Sequence, residues 1–158
     1  MKKTIFMAAL FMSFNAFSLP AGVFEEKQAA EPVKPLVLQK LSERAKQNKN
    51  WKAIVKLGDH EQVIFMSVSS STTSDNKIGR AKRSYDQLIL IAQGTALVSL
   101  NGNTSTVKNG DMIFIPKGTT YEITSKSRIN KLKLASFCSG VSSPKDELYR
   151  NKIDEKSN

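Results

Sequence analysis

The sequence predicts a single all-β domain, an antiparallel barrel or sandwich, over residues 51–138. Short runs rich in β-forming residues follow one another from Trp51 onward, and each has the length of a strand. Glycine-containing turns separate these runs at intervals of about eight residues, a spacing typical of small barrels and sandwiches. The run 88–92 is apolar at every position, as in a strand covered on both faces. The turns are Gly94, Asn101-Gly102, Asn109-Gly110 and Lys117-Gly118, and Asn-Gly is the strongest short hairpin signal.

Residues 1–18 have the pattern of a cleaved secretory signal peptide. Lys2 and Lys3 give a positive start, residues 5–17 are mostly apolar, and Ala16-Phe17-Ser18 offers small residues to a signal peptidase. The apolar stretch is shorter than the about 20 residues that span a membrane. We therefore expect a periplasmic or secreted protein. Cleavage leaves 140 residues, and the formal net charge falls from +10 to +8 because Lys2 and Lys3 are lost.

Residues 19–50 are expected to form a linker followed by an amphipathic helix. Pro35 suits the first turn of a helix, which is predicted to continue to about Asn48. The side chains predicted to share its apolar face are Val37, Leu38, Leu41 and Ala45. Such a face covers one side of the barrel or a dimer partner.

The barrel strands are predicted at 52–57, 62–68, 88–92 and 129–137, in addition to the strands between the glycine turns. Residues 69–77 are a polar Ser/Thr/Asp/Asn loop and are predicted to be exposed. Cys138 is the only cysteine, so no internal disulfide can form. It has the strand parity of Leu132 and Leu134, which predicts a buried thiol.

Residues 139–158 are predicted to be a polar tail. Ser143-Pro144 resembles a helix start, and few apolar residues follow it. The tail is expected to be either a short docking helix or a frayed end.

The segment 110–121 combines a glycine turn, a short apolar run and a second turn. Gly110 opens the run, Pro116 and Gly118 close it, and Tyr121 follows three positions later. This arrangement resembles the second sequence motif of the cupins, small double-stranded β-helix (jelly-roll) barrels. In that family the residue at the position of Tyr121 is usually a metal-binding histidine.

The first cupin motif can be aligned with its closing glycine on Gly94. The two usual histidine positions then fall on Ala81 and Arg83, and the acidic position falls on Gln87. The resemblance covers about residues 63–137 and implies the jelly-roll fold. Transition metals prefer imidazole and carboxylate ligands, and these positions lack both. We therefore expect neither a metal nor another cofactor.

Arg83, Gln87 and Tyr121 are the predicted ligand-binding residues. On one strand parity, residues 81, 83, 85 and 87 face the side that carries ligands in metal-bearing relatives. A guanidinium, an amide and a phenol suit an anionic or polar small molecule. Alternatively, Arg83 lies at the barrel mouth in water, and Gln87 and Tyr121 hydrogen-bond each other inside.

The function expected from these residues is that of an exported, metal-free binding module for a small anionic or polar ligand or a protein partner. A metal-independent isomerase or epimerase is a second hypothesis, with His60 and Tyr121 as base and acid. A structural component of a cell-envelope assembly is a third. A homodimer and a partner with an anionic surface are possible, whereas the scattered Lys and Arg residues do not indicate specific nucleic-acid binding.

Overall fold

The computed structural model describes residues 34–73, 75–79 and 82–152. The predicted signal peptide, residues 19–33 of the predicted linker and the motif position Ala81 lie outside the described residues.

The described residues form one helix and ten strands, which confirms the all-β prediction. The longer strands, such as β2, β4 and β9, coincide with runs rich in β-branched and other apolar residues. The elements are α1 (Leu41–Gln47), β1 (Lys52–Lys56), β2 (Glu61–Val68), β3 (Lys77–Gly79), β4 (Asp86–Gln93), β5 (Thr95–Leu100), β6 (Asn103–Lys108), β7 (Met112–Ile115), β8 (Tyr121–Ser125), β9 (Leu132–Ser139) and β10 (Glu147–Tyr149).

The strands form two antiparallel sheets that enclose the main core. The six-stranded sheet has the order β10-β1-β2-β9-β4-β7, and the four-stranded sheet has the order β3-β8-β5-β6. Directly paired residues of antiparallel strands share a face. The cross-strand row Gln62, Cys138, Gln87 and Ile115 therefore faces the interior, where Cys138 is buried as predicted.

Helix α1 packs against the outer face of the six-stranded sheet. Its buried Ala45 joins Val63, Phe65, Ala92 and Ala135 in a second apolar cluster. The α1 face that the sequence predicted to be apolar thus covers one side of the barrel.

The helix begins at Leu41, six residues after the predicted start at Pro35. Lys40 adopts a left-handed conformation with φ 54° and ψ 40°, and an α-helix cannot continue through such a residue. Residues 34–39 have no regular secondary structure.

Within the described residues 139–152, neither the docking helix nor the frayed end expected after Ser143-Pro144 is found, because Glu147–Tyr149 form β10. Lys52 pairs with Tyr149, and Ile54 pairs with Glu147. The backbone groups of β1 need partners on that side, and burial of Tyr149 favours pairing over the local helix signal. The sheet therefore extends beyond residue 138, the predicted end of the barrel.

Candidate functional site

A cavity of about 410 Å³ lies between the two sheets. Such a volume falls in the range of small-molecule sites. Its aliphatic wall comes from the inward faces of three neighbouring strands, β2, β4 and β9, and is made of Ile64, Met66, Ile89 and Leu134.

Arg83, Gln87 and Tyr121 meet at one side of this cavity. All three belong to the lining, and Arg83 and Gln87 lie close enough to the Tyr121 phenol to lower its pKa. Burial raises the pKa of Tyr121 above its usual value of 10.0, and the positive charge and hydrogen bond of Arg83 act against that rise. The phenol is therefore neutral at physiological pH. We call these three residues the polar cluster.

Gln87 has an amide oxygen without a partner. Its side chain is only 5% exposed. Nε2 donates to Ser136 Oγ at 3.2 Å and to Cys138 Sγ at 3.5 Å. Oε1 is buried and has no hydrogen-bond partner among the described residues. A buried acceptor without a donor costs about 1–3 kcal/mol, so this oxygen lowers the stability of the fold.

Arg83 lies at the mouth of the cavity, with an exposed side chain. The Pro116–Gly118 turn fixes its backbone, because Gly118 N donates to Arg83 O at 2.8 Å. Lys117 N similarly donates to Asp86 Oδ1 at 2.7 Å. Arg83 is therefore exposed at the mouth, and its charge still influences the pKa of Tyr121.

Gly79 backs the Tyr121 ring. A Cβ at this position would lie 2.4 Å from the carbonyl oxygen of Tyr121 and 2.9 Å from its ring. The φ of Gly79 is also +100°, a conformation that side chains disfavour. Only glycine therefore lets β3 approach the polar cluster so closely.

The cavity lining is strongly basic. Its cations are Lys52, Lys77, Arg83 and Lys152, and none of its described residues is acidic. Lys77 pairs with Glu122 outside the lining, at 3.0 Å. Lys152 lies 5.2 Å from the centre of the Trp51 ring and donates to the Lys77 carbonyl at 3.0 Å. Lys152 also lies 3.8 Å from Asp75, so the preference of the lining for an anionic ligand comes mainly from Lys52 and Arg83.

The residues at the usual metal position do not fit a metal ion. No group of three or more His, Cys, Asp or Glu side chains in the described part of the chain could hold one. The polar cluster offers a guanidinium, a neutral amide and a phenol with a raised pKa. A cation at this point would also face Arg83.

His60 lies outside the cavity. It occupies the turn between β1 and β2, and its Nδ1 is 3.2 Å from Val141 O. The cavity lining does not include it. The pairing of His60 with Tyr121 that an epimerase requires is therefore not formed.

Sequence reasoning did not single out several lining residues. Ser136 could have been found, because it has the strand parity of Leu134 and Cys138 on an otherwise apolar strand. Trp51 and Lys152 gave no such signal, since each lies just outside a strand and reaches the cavity only through the fold.

A protein-family model described as the AraC-like ligand binding domain matches residues 66–134. None of the curated proteins compared with this chain matches it. No helix among the described residues is long and apolar enough to cross a membrane.

Several solved structures share the fold. The protein BH2720 from Bacillus halodurans is 23% identical, with a TM-score of 0.70 over 81% of this chain and 98% of that one. NMB1881 from Neisseria meningitidis is 16% identical, with a TM-score of 0.50 over 65% and 99%. A cupin 2 domain-containing protein from Halorhodospira halophila is 12% identical, with a TM-score of 0.50 over 66% and 71%. At these identities the likeness concerns the fold.

Proposed function

Because this chain is a member of the cupin superfamily, whose fold hosts many functions, we propose its function from the chemistry of its cavity. It is a non-catalytic binding module that holds a small organic anion between the two sheets. The observation that carries this proposal is the polar cluster, where Arg83, Gln87 and Tyr121 line one cavity whose described lining includes no acidic side chain.

The anion is favoured by both charge and hydrogen-bond geometry. Arg83 presents a forked set of donors that matches a carboxylate. The neutral Tyr121 phenol adds a hydroxyl donor, because its pKa is raised. Lys52 adds positive charge at the rest of the lining, whereas the charges of Lys77 and Lys152 are opposed by Glu122 and Asp75.

A binding role is favoured over catalysis by the groups that the cavity contains. Acid–base chemistry at neutral pH needs groups whose pKa lies near 7. Tyr121 has a pKa above 10.0, and the single histidine of the chain, His60, is not in the lining. The described cavity lining offers a transition metal neither imidazole nor carboxylate ligands, so a metal-free module is the simplest proposal.

Export to the periplasm or beyond is part of the proposal. It is supported by the charged start, apolar run and small residues of positions 1–18. Mass spectrometry of the protein from fractionated cells should give Leu19 as the first residue. An intact Met1 in the cytoplasmic fraction would contradict export.

The binding proposal is tested with a thermal-shift screen of organic anions against three proteins. These are the wild type, Arg83→Gln, and Lys108→Gln, which removes an exposed cation outside the lining. We expect at least one anion to raise the Tm of the wild type and of Lys108→Gln, and to act weakly on Arg83→Gln. Equal shifts in all three proteins, or none, would contradict the proposal.

Metal analysis of the protein purified without chelators tests the metal-free part separately. A stoichiometric transition metal would overturn it, and less than a tenth of an equivalent would support it.

A further inference from the structure

The two sheets are joined differently along the two sides of the cavity. On one side, the edge strands β6 and β7 are consecutive in the chain, and a short turn links them covalently. On the other side, the edge strands are β3 and β10, which lie far apart in the sequence. We call the gap between β3 and β10 the seam. Noncovalent contacts hold the two edges together there.

The seam is also a wall of the cavity. All three residues of β3, Lys77–Gly79, belong to the lining. Trp51 and Lys52 contribute to the lining from the opposite edge, where Lys52 pairs with Tyr149 of β10. Displacement of β3 would therefore open the cavity to solvent.

Lys152 crosses the seam. Its backbone follows β10, and Trp51 N donates to the nearby Arg150 O at 3.0 Å. The Nζ of Lys152 donates to Lys77 O at 3.0 Å and lies 3.8 Å from Asp75 Oδ1. The same ammonium lies 5.2 Å from the centre of the Trp51 ring, and Trp51 is only 6% exposed. One side chain thus connects the edges of both sheets and shields the tryptophan.

We propose that Lys152 is a latch on the entrance to the cavity. Its release from Lys77 O lets the short strand β3 detach, so that the seam opens and an anion can enter or leave. The passage of an anion rests on the proposed function, whereas the opening of the seam does not.

The contacts of the latch are weak enough to open. The Lys152 side chain is 27% exposed and that of Asp75 is 55% exposed, so water screens their ion pair. The strand β3 has only three residues, all half-buried, and such edge segments are among the parts of a fold that open locally. Opening also reaches the polar cluster, because Gly79 of β3 backs the Tyr121 ring.

Acrylamide quenching of Trp51 fluorescence measures the opening without a ligand, because Trp51 is the only tryptophan in the chain. Lys152→Met keeps the apolar stem and removes the ammonium, whereas Lys152→Arg keeps a cation and its donors. Lys145→Met is the matched control, since Lys145 pairs with Glu147 and is not in the described lining.

We expect the quenching constant to rise about fivefold in Lys152→Met, the effect of one ordinary hydrogen bond on the open population. The other two variants should differ from the wild type by less than about twofold. If Lys152→Met does not fold, Lys152→Gln, which is shorter by one bond and uncharged, takes its place. Equal quenching in all the proteins would overturn the inference.

Hydrogen exchange distinguishes a latch from a side chain that only covers the tryptophan ring. Replacement of a cover would leave β3 protected by its ladder with β8, whereas loss of a latch releases β3 from it. Mass spectrometry should show about fivefold faster amide exchange of Lys77–Gly79 in Lys152→Met, with the β5–β6 hairpin unchanged. Faster quenching with unchanged exchange of β3 would also overturn the inference.

Stopped-flow Trp51 fluorescence with an anion identified by the thermal-shift screen measures passage through the seam. A latch slows entry and exit alike, so in Lys152→Met both rate constants should rise about fivefold, with Kd changed less than about twofold. A weaker Kd at an unchanged association rate would mean that Lys152 binds the anion and is not a latch. If the screen yields no Arg83-dependent anion, the proposed function falls, and quenching and hydrogen exchange still decide the latch.

Discussion

Tyr121 is the residue on which the polar cluster depends. Its phenol lies in the same cavity lining as Arg83 and Gln87, and Gly79 leaves room for its ring. The sequence predicted these three polar side chains for one pocket, because the spacing of two cupin motifs brings strand positions far apart in sequence to the same face. Ligand binding by them remains a prediction, and the cations Lys52 and Lys152 could not be predicted because they reach the cavity from separate segments.

The raised pKa of Tyr121 predicts late ionisation and a loss of stability in alkali. The chain has three tyrosines, so the difference between the 295 nm titrations of wild type and Tyr121→Phe isolates this one. We expect a midpoint above 10.0, since burial disfavours the phenolate. A midpoint at or below 10.0 would show that Arg83 outweighs burial.

The raised pKa of Tyr121 also determines whether stability rises or falls with pH. Above pH 10 the phenol of Tyr121 loses its proton in the unfolded chain before it does so in the folded protein. The contribution of the protonated phenol to the free energy of unfolding is therefore complete below that pH, and it is lost as the pH rises through the folded-state pKa. Urea unfolding at pH 8 and pH 11 should therefore show a larger decrease for the wild type than for Tyr121→Phe. Equal decreases would contradict this linkage.

Replacement of Ser125 by alanine is predicted to stabilise the protein. Its side chain is fully buried, and its Oγ has no hydrogen-bond partner among the described residues. Ser125→Ala should raise the free energy of unfolding by up to about 1 kcal/mol, because it removes an unsatisfied hydroxyl. Ser136→Ala is the matched control and should lower it by about 1 kcal/mol, because Gln87 loses its acceptor. Destabilisation by Ser125→Ala would mean that its hydroxyl has a partner.

At the scale of elements, predictions from local sequence were wrong where a strand pairs with a segment that is distant in sequence. Ser143-Pro144 predicted a helix or a frayed end, yet β10 forms because β1 offers it an edge. The β5–β6 hairpin was predictable, since Asn101 and Gly102 both have positive φ, which is the conformation that an Asn-Gly turn needs. The conformation of a turn depends on neighbouring residues, whereas the pairing of an edge strand depends on a segment distant in sequence.

Substitutions of two adjacent residues in β10 are predicted to change the free energy of unfolding by unequal amounts. Tyr149 is 8% exposed, and its neighbour Leu148 is 59% exposed. Tyr149→Ala should lower the free energy of unfolding by about 3 kcal/mol, whereas Leu148→Ala should change it by less than about 0.5 kcal/mol. Urea unfolding measures both. Similar small effects would mean that β10 is not part of the cooperative fold.

At the scale of the whole molecule, part of the outer sheet face is left apolar and uncovered. Helix α1 covers Ala92 and Ala135, but Met112 and Phe114 on the edge strand β7 remain 60% and 59% exposed. They pair with Leu90 and Leu88, so the four side chains share one face. Exposed apolar patches of this kind mark interaction sites. The homodimer expected from the sequence remains a prediction, and this patch is where we propose its contact.

The dimer prediction is tested by analytical ultracentrifugation of wild type, Phe114→Glu and Ile129→Glu. Ile129 is an exposed apolar residue outside the patch. We expect a dimer for wild type and Ile129→Glu and a monomer for Phe114→Glu, because a carboxylate in the contact would be desolvated. A monomeric wild type would show the prediction to be wrong.

The pairing of β1 with β10 sets the earliest moment at which the six-stranded sheet can be complete. The first strand of the domain lies between β2 and β10, so its sheet is complete only after Tyr149 has left the ribosome. Contacts so distant in sequence also form slowly. A nascent chain with this topology can therefore complete the six-stranded sheet only when its synthesis is nearly finished.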